Sequence, residues 1–342
     1  MKIDRKQFSG LLKVASKGLS TRTLVPGADM FVFAGGKITT FNGEVRVQVK
    51  DSIGLTAIVP SVELLNLVNR FSTDEIDVVM NKEKSEVRIK GASARAGITC
   101  DAVIDATSEI PAPGKWFKPS KNFAQHLLAA SKVCGHDDTM GVTMCVRILP
   151  NRIEACDNYR AVRHDGATGV AEEFYLQASS IAALEGLAIT KLSIQDGWMH
   201  ARFDGGMISL RGRVFAEYPS LDDLFSIEGK EIFFPKELAG GITRSQVFTD
   251  KQTSAGQLKH ITRVNVTIST NCAKISTGSS RGWFSEELKL KYDGPDLSFD
   301  AHPDSLLQIL NHSFAVRFQK GKLIAKADKT CMVISTRSPN NG

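Results

Sequence analysis

Apolar and polar residues along this chain follow two periods, one typical of helices and one typical of strands. Near the start, in KIDRKQFSGLLKVAS, the apolar residues Phe8, Leu12 and Ala15 recur at helical spacing and fall on one face. The next segment, DMFVFAGGKITTFNGEVRVQV, alternates apolar and polar residues and breaks at Gly-Gly and Asn-Gly, as β-hairpins do. The pattern predicts a helix followed by antiparallel strands.

The same pattern occurs three times, with a period of 115 residues. Two later segments, WFKPSKNFAQHLLAAS and IFFPKELAGGITRSQ, align with the first predicted helix so that Lys6, Lys121 and Lys236 are in register. A second amphipathic helix follows in each copy, in VPSVELLNLVNRF, QASSIAALEGL and HPDSLLQILNHSF. We therefore expect an α+β fold of three tandem helix-on-antiparallel-sheet domains. Their expected boundaries are 1–114, 115–228 and 229–342.

The composition indicates a class of binding partner and a cellular compartment. A net charge of +6 favours a polyanionic partner without establishing one. The six cysteines are scattered and form no C-x-x-C pair, so we expect buried thiols in a reducing cytoplasm rather than a zinc ribbon or a disulfide framework. The start is polar and basic, and no run of about 18 apolar residues occurs, so neither a secretion signal nor a membrane span is expected.

Lysines lie opposite the apolar stripe of the first predicted helix. Lys6, Lys13 and Lys17 form this basic face, and Lys121 and Lys132 repeat it in the second copy. Lysines opposite a core stripe are common on any amphipathic helix, but here no acidic residue shares the face. Such a face is suited to phosphate contacts that read no sequence. It carries no aromatic residue, so stacking on single-stranded bases is not predicted.

Two clusters invite a catalytic interpretation. The stretch ACDNYRAVRHDG brings Cys156 and His164 close in sequence, but eight residues along a strand separate the pair too far for a dyad. The run His136-Asp137-Asp138 has no second cluster at metal-ligand spacing, and no nucleotide-binding loop, zinc-protease motif or nucleophile elbow occurs. No cofactor is expected. Besides a binder of polyanions, a hydrolase using His136, Asp137 and Asp138 and a scaffold that binds only proteins stay open.

Four motifs in order resemble the bacterial DNA polymerase III beta subunits, the sliding clamps, in a divergent, phage-like form. They are IVPSVELLNLVNRF, ACDNYRAV, AEYPSLDDLF and EELKLKYDGPDLSFDAHPDSLLQIL, and the resemblance that rests on them spans nearly the whole chain. The resemblance implies the DNA clamp fold and a homodimeric ring of two three-domain chains, with helices around a central hole. It implies a processivity factor for a DNA polymerase, with no catalytic activity and a separate clamp loader.

The resemblance also assigns residues to three surfaces. The residues expected to face double-stranded DNA are Lys6, Lys13, Lys17, Arg22, Arg70, Lys121, Lys132 and Arg244. Ring closure is expected where Val247 and Phe248 of one chain meet Ala96 of the other. Polymerase and clamp loader are expected to insert short peptide motifs into a pocket between the second and third domains. Its expected walls are Cys156, Asn158, Tyr159, Arg160, Ala161, Pro219, Leu224, Met332 and Ile334.

Overall fold

The order of helices and strands recurs three times along the chain. The structure is a computed structural model that describes residues 1–20, 26–51, 53–101, 110–135, 138–215, 217–226, 228–229, 231–248, 263–319 and 321–339, with residues 138–140 by their backbone alone. The first set of elements is β1 (Lys2–Asp4), α1 (Arg5–Ala15), β2 (Met30–Ala34), β3 (Lys37–Phe41), β4 (Val45–Lys50), β5 (Ala57–Pro60), α2 (Ser61–Arg70), β6 (Glu75–Asn81), β7 (Glu86–Gly91) and β8 (Ala94–Thr99).

The third set repeats this order in full, and the second repeats it without a strand before its first helix. The second set is α3 (Phe123–Ser131), β9 (Cys145–Leu149), β10 (Arg152–Cys156), β11 (Arg160–Asp165), β12 (Phe174–Gln177), α4 (Ala178–Ile181), β13 (Lys191–Gln195), β14 (Trp198–Phe203) and β15 (Gly206–Arg213). The third set is β16 (Glu231–Phe233), α5 (Glu237–Ser245), β17 (Val264–Ser269), β18 (Cys272–Ser279), β19 (Gly282–Lys289), β20 (Leu297–Ala301), α6 (Pro303–His312), β21 (Ala315–Gln319), β22 (Lys322–Ala327) and β23 (Thr330–Ser335). The predicted order of elements is therefore present in each copy.

One predicted helix is much shorter than the sequence indicated. In the second copy, α4 has only four residues and continues as a 3-10 turn over Ala182–Leu184. The equivalent helices α2 and α6 each have ten residues. Gly186, with a φ of 74°, follows closely after this short turn. Glycine adopts such left-handed backbone at little cost, so the chain turns away here.

The chain groups into two compact units. The first comprises Met1–Ser131, Ile148–Pro150 and Thr168–Val214, and the second Lys132–Arg147, Asn151–Ala167 and Phe215–Gly342. This grouping differs from the three predicted domains, whose boundaries stay a prediction. No helix in the described part of the chain is long and apolar enough to cross a membrane.

The first unit contains two antiparallel sheets. One has the strand order β1-β6-β7-β8; the other runs β12-β15-β4-β3-β2-β5, with β14 also paired to β15 and β13 to β14. Helix α1 begins after Asp4, whose carboxylate accepts a hydrogen bond from the Gln7 backbone N–H at 2.7 Å. It packs against α2 and the strands β3 and β4 through its fully buried residues Phe8, Leu12 and Ala15. The apolar stripe predicted from the sequence is therefore the buried face of the helix.

The second unit also contains two antiparallel sheets. Their strand orders are β16-β21-β22-β23-β11-β10 and β19-β18-β17-β20. Helix α5 packs against β18, β19 and α6, and α6 against β22 and β23. Pro303 is the first residue of α6. A backbone N–H at this position would have no acceptor within the helix, so the N–H that proline lacks removes no helical hydrogen bond. The core of this unit is formed by apolar side chains such as Leu238, Ile242 and Phe299.

The repeat extends to the geometry of individual turns. Asn42 Oδ1 accepts hydrogen bonds from the backbone N–H groups of the second and third residues after it, at 3.0 and 2.8 Å. Asp157, 115 residues later, accepts the same two bonds at 2.7 and 2.8 Å. Both side chains fix the turn before a strand, β4 in one copy and β11 in the other. Asp157 is therefore a turn residue.

Candidate functional sites

Helix α1 exposes the first part of the predicted lysine surface. Lys6 and Lys13 are exposed on the side away from the buried residues of the helix. The Lys6 ammonium lies 3.8 Å from the exposed carboxylate of Asp74, so its charge is partly balanced. Lys17 lies beyond α1, in the 3-10 turn Ser16–Gly18, and its ammonium donates a hydrogen bond to the Glu185 carbonyl at 2.7 Å. Lys17 thus joins the first copy to the second within the first unit.

The remaining predicted DNA-facing residues differ in their surroundings. Lys121 and Lys132 are exposed, but they lie just before and just after α3 rather than on it. Arg70 is exposed at the end of α2. Arg244 on α5 is engaged, because its guanidinium donates to both carboxylate oxygens of Glu286 at 2.6 and 2.7 Å. Arg22 lies outside the described residues.

Ala96, the first predicted ring-closing residue, lines a groove in the first unit. The groove has a volume of about 620 Å³ and lies between α2 and β8, the last strand of its sheet. Its apolar lining includes Val62, Leu67 and Ile98, and Arg70 lies at the same groove. The Val62 side chain is about half exposed. This surface leaves apolar area open beside a strand that has no neighbour on one side among the described residues.

The other predicted ring-closing residues lie beside an edge strand of the second unit. Val247 is 78% exposed in the 3-10 turn Gln246–Phe248, which packs against β18 and β19. Phe248 is half buried against Gly282, where a Cβ atom would come within 2.8 Å of the ring. Trp283, the next residue on β19, is 75% exposed. Large apolar side chains are therefore open at this edge.

The predicted peptide pocket involves both faces of one sheet. Strands β11 and β23 pair so that Ala161 lies across from Val333, and Arg160 across from Ile334. Because side chains alternate along a strand, Ala161 points to one face, whereas Arg160, Met332 and Ile334 point to the other. On that second face Arg160 donates to Gln308 of α6 at 2.6 Å. No local pattern in the sequence specifies this register.

The face that carries Ala161 is covered by the chain itself. Leu221 is buried in a cluster with Cys156 and Ala161, and Phe225 packs against a neighbouring cluster that includes Val333. The predicted walls that stay exposed are Tyr159, Leu224, Pro219 and Asn158. Tyr159 and Leu224 are 46% and 41% exposed. The open apolar surface is therefore a rim around a filled interior.

The two candidate catalytic residues that the structure describes, Cys156 and His164, are not arranged for a reaction. Cys156 points to the face of Ala161, and its thiol lies 3.8 Å from the Tyr218 hydroxyl. Burial raises the pKa of this thiol, which makes it a poor nucleophile. His164 points to the opposite face and contacts Thr330 at 2.7 Å. His136 and Asp137 lie outside the described residues, as does the Asp138 side chain.

Metal binding finds no support in the part of the chain that is described. There, no group of three or more His, Cys, Asp or Glu side chains is placed to hold a metal ion. All six cysteines are free thiols, and five of them are buried. Burial raises the pKa of Cys331 to about 11. The Cys331 thiol therefore carries little charge at neutral pH.

A charged cluster beside the predicted pocket was not found from the sequence. Glu154 is fully buried on β10, and Arg163 on β11 lies directly across from it. Asp222, in the sequence 59 residues after Arg163, completes the group. The one available signal was a pair of opposite charges at inward positions of two predicted strands. Nothing in the sequence pattern indicated the third member.

The whole chain is similar to solved sliding clamps. It matches a DNA polymerase sliding clamp from Bacillus subtilis at a TM-score of 0.81 and 12% identity, over 99% of this chain and 98% of that one. The beta subunit of DNA polymerase from Streptococcus pyogenes matches at 0.82 and 16% identity, over 98% and 99%. The DNA polymerase III beta subunit from Thermotoga maritima matches at 0.80 and 16%, over 99% of each chain.

These likenesses are visible in the structure and faint in the sequence. No family model matches the chain, and no curated protein matches it. The chain has the α+β fold of the bacterial sliding clamps over its whole length. The fold expected from the sequence is thereby confirmed.

Proposed function

We propose that this chain is a DNA sliding clamp, a ring that encircles duplex DNA without reading its sequence and tethers a DNA polymerase. The observation that carries the proposal is the whole-chain match to three sliding clamps at TM-scores of 0.80 to 0.82. The ordered clamp-like motifs and the net charge of +6 support it independently. In this role the chain is a non-catalytic accessory subunit.

Ring formation needs a second copy of the chain. Three clamp domains per chain, at 1–114, 115–228 and 229–342, make six in a homodimer. The three-fold recurrence of the element order supports this division. We propose that Val247 and Phe248 of one chain pack into the α2–β8 groove beside Ala96 of the other. A two-fold ring uses this head-to-tail interface twice.

The exposed basic residues are suited to a duplex held by its phosphates. Lys6, Lys13, Lys121, Lys132 and Arg70 are all exposed, and each can displace a condensed counterion. Contacts of this kind position a protein on DNA without specifying a sequence. They suit a ring that must slide.

The exposed apolar rim suits a short peptide from a protein partner. Tyr159, Leu224 and Pro219 offer apolar surface. The backbone carbonyl of Tyr159 accepts a hydrogen bond from the Ser335 backbone N–H. We propose that the DNA polymerase and a clamp loader bind here through short motifs with large apolar side chains. The loader supplies the ATP-dependent opening for which this chain has no nucleotide-binding motif.

The proposal is tested by DNA affinity measured across a salt series. Fluorescence anisotropy is recorded with two duplexes of equal length and unrelated sequence. A clamp surface binds both with equal affinity, and the affinity falls steeply with salt because counterions are released. Affinity that depends on sequence, or the absence of binding at every salt concentration, contradicts the proposal. The second result favours a scaffold that binds only proteins.

A further inference from the structure

A cluster of charged side chains lies beside the exposed rim in the second unit. At its centre is Glu154, which is fully buried. Arg147 Nη1 donates to Glu154 Oε1 at 3.1 Å, and Arg163 Nε donates to Oε2 at 3.1 Å. Arg152 Nε lies 3.1 Å from the same Oε2. One buried carboxylate therefore accepts hydrogen bonds from two arginines on the neighbouring strands and forms an ion pair with a third.

These arginines also contact the segment 218–226, which contains two of the residues predicted to line the pocket. Arg163 Nη2 donates to Asp222 at 2.7 Å, and its guanidinium lies 4.5 Å from the centre of the Phe225 ring. Arg147 lies over the Tyr218 ring at 5.1 Å. Ion pairing and cation–π contacts thus act on three points of the same short segment.

The segment is also held from the neighbouring sheet strand β22. Lys322 Nζ donates toward the carbonyl oxygens of Asp223, Leu224 and Ser226, at 3.2, 3.4 and 3.4 Å. A lysine near the last carbonyls of a short helical turn satisfies groups that have no partner within it. The 3-10 turn Asp222–Phe225 is therefore fastened at its start by Arg163 and at its end by Lys322.

A buried charge cluster is poorly explained by stability alone. Removing charges from water costs free energy that their mutual attraction often only offsets, and apolar replacements of similar volume are frequently as stable. An apolar core would not hold the Asp222 side chain, which is 59% exposed at the rim, in one orientation. Arg163, with Arg152 beside it, also holds the pKa of Asp222 below its usual range, so the carboxylate stays charged for this contact.

We propose that Glu154, Arg163 and Asp222 are positioning residues that hold the 218–226 segment as a preformed wall of the partner-peptide surface. The inference rests on the proposed function of that surface. Glu154 aligns Arg163, Arg163 fixes Asp222, and the turn then presents Leu224 at the exposed rim. A wall already in place spares the partner the entropy of ordering it.

Adjacent aspartates provide a matched test. Asp222 and Asp223 are both exposed in the same turn, but only Asp222 forms an ion pair with Arg163. Asp222→Asn and Asp223→Asn change the net charge equally. Binding of a fluorescein-labelled decapeptide with a central Leu-Phe pair is measured by anisotropy on the full chain. We expect Asp222→Asn to weaken binding by about three- to ten-fold and Asp223→Asn to leave it unchanged.

Hydrogen–deuterium exchange supplies a second measurement on the same variants. The 218–226 segment should exchange faster in Asp222→Asn than in wild type and remain as in wild type in Asp223→Asn. Glu154→Gln, which keeps the side-chain volume, should act like Asp222→Asn and more strongly. If this buried variant does not fold, the two surface variants still decide the question.

The outcomes separate the inference from the function on which it rests. Equal peptide affinity in wild type, Asp222→Asn and Asp223→Asn overturns the positioning role. Tighter binding by Asp222→Asn also overturns it, because the segment would then obstruct the peptide. A wild-type chain that does not bind the probe overturns the partner-peptide surface itself. Affinity for DNA and the mass of the ring are tested separately from all three results.

Discussion

At the scale of single residues, one polar row crosses the sheet of the first unit. Ser193, His200, Ser209 and Arg46 lie opposite one another on β13, β14, β15 and β4, and all are buried. His200 Nδ1 contacts the Ser209 hydroxyl at 2.9 Å. Burial, and then the positive charge of Arg46, lower the pKa of His200 to about 4. The pairing of β4 with β15, which joins the first copy to the second, is thus linked to a titratable group.

Because His200 is buried in this row, we expect the folded chain to lose stability in acid. The pKa of His200 is lower in the folded chain than its ordinary value of about 6.5, so the unfolded chain takes up the proton first as the pH falls. Stability should decline from about pH 6.5 to about pH 4 and then level off, by up to about 3 kcal/mol from this group. Urea unfolding of wild type and His200→Gln at several pH values measures the difference. Equal pH dependence in both chains would contradict the assignment.

Arg244 leads to a prediction about which basic residues act on DNA. Its guanidinium is already paired with Glu286, whereas Lys13 has no carboxylate partner among the described residues. Arg244→Ala should therefore reduce DNA affinity less than Lys13→Ala does. Glu286→Gln should increase affinity, because it frees a positive charge for phosphate. Anisotropy titrations at one salt concentration compare the three variants, and a decrease with Glu286→Gln would show that the pair itself supports the surface.

At the scale of elements, α1 is the helix on which the proposed DNA contact depends most. Lys13→Glu should lower DNA affinity about ten-fold or more at low salt and should also reduce the slope of log affinity against log salt, since one phosphate contact is lost. Lys84→Glu is the control, because Lys84 is exposed in the short turn between β6 and β7. An equal effect of the two substitutions would mean that net charge, rather than this helix face, governs binding.

The elements also show what the sequence could and could not specify. The buried face of α1 follows from local periodicity, since Phe8, Leu12 and Ala15 are close together in the chain. The shared turn at Asn42 and Asp157 follows from the repeat. The register of β11 against β23 depends on residues that are far apart in the sequence, such as Ala161 and Val333. Local patterns do not report such pairing, so the pocket walls assigned by resemblance came from both faces of the sheet.

At the scale of the whole molecule, the proposed ring consists of two chains. Val247→Asp places a charge on a side chain that is 78% exposed in the single chain, so folding should be unaffected. In the proposed ring that residue is buried against the partner, where an unpaired charge is costly. Analytical ultracentrifugation over a dilution series should show a dimer for wild type and a monomer for Val247→Asp. A dimer of unchanged strength would contradict the interface.

Retention on DNA with blocked and open ends distinguishes encirclement of the duplex from ordinary surface binding. Linear duplex with biotin at both ends is incubated with the chain at high concentration, so that rings thread over the ends, and streptavidin is then added to half of the sample. After a wash at a salt concentration that removes phosphate-contact binding, a sliding clamp stays on the blocked duplex and leaves the open one. Equal loss from both duplexes would contradict encirclement, and with it the proposal that this chain is a sliding clamp.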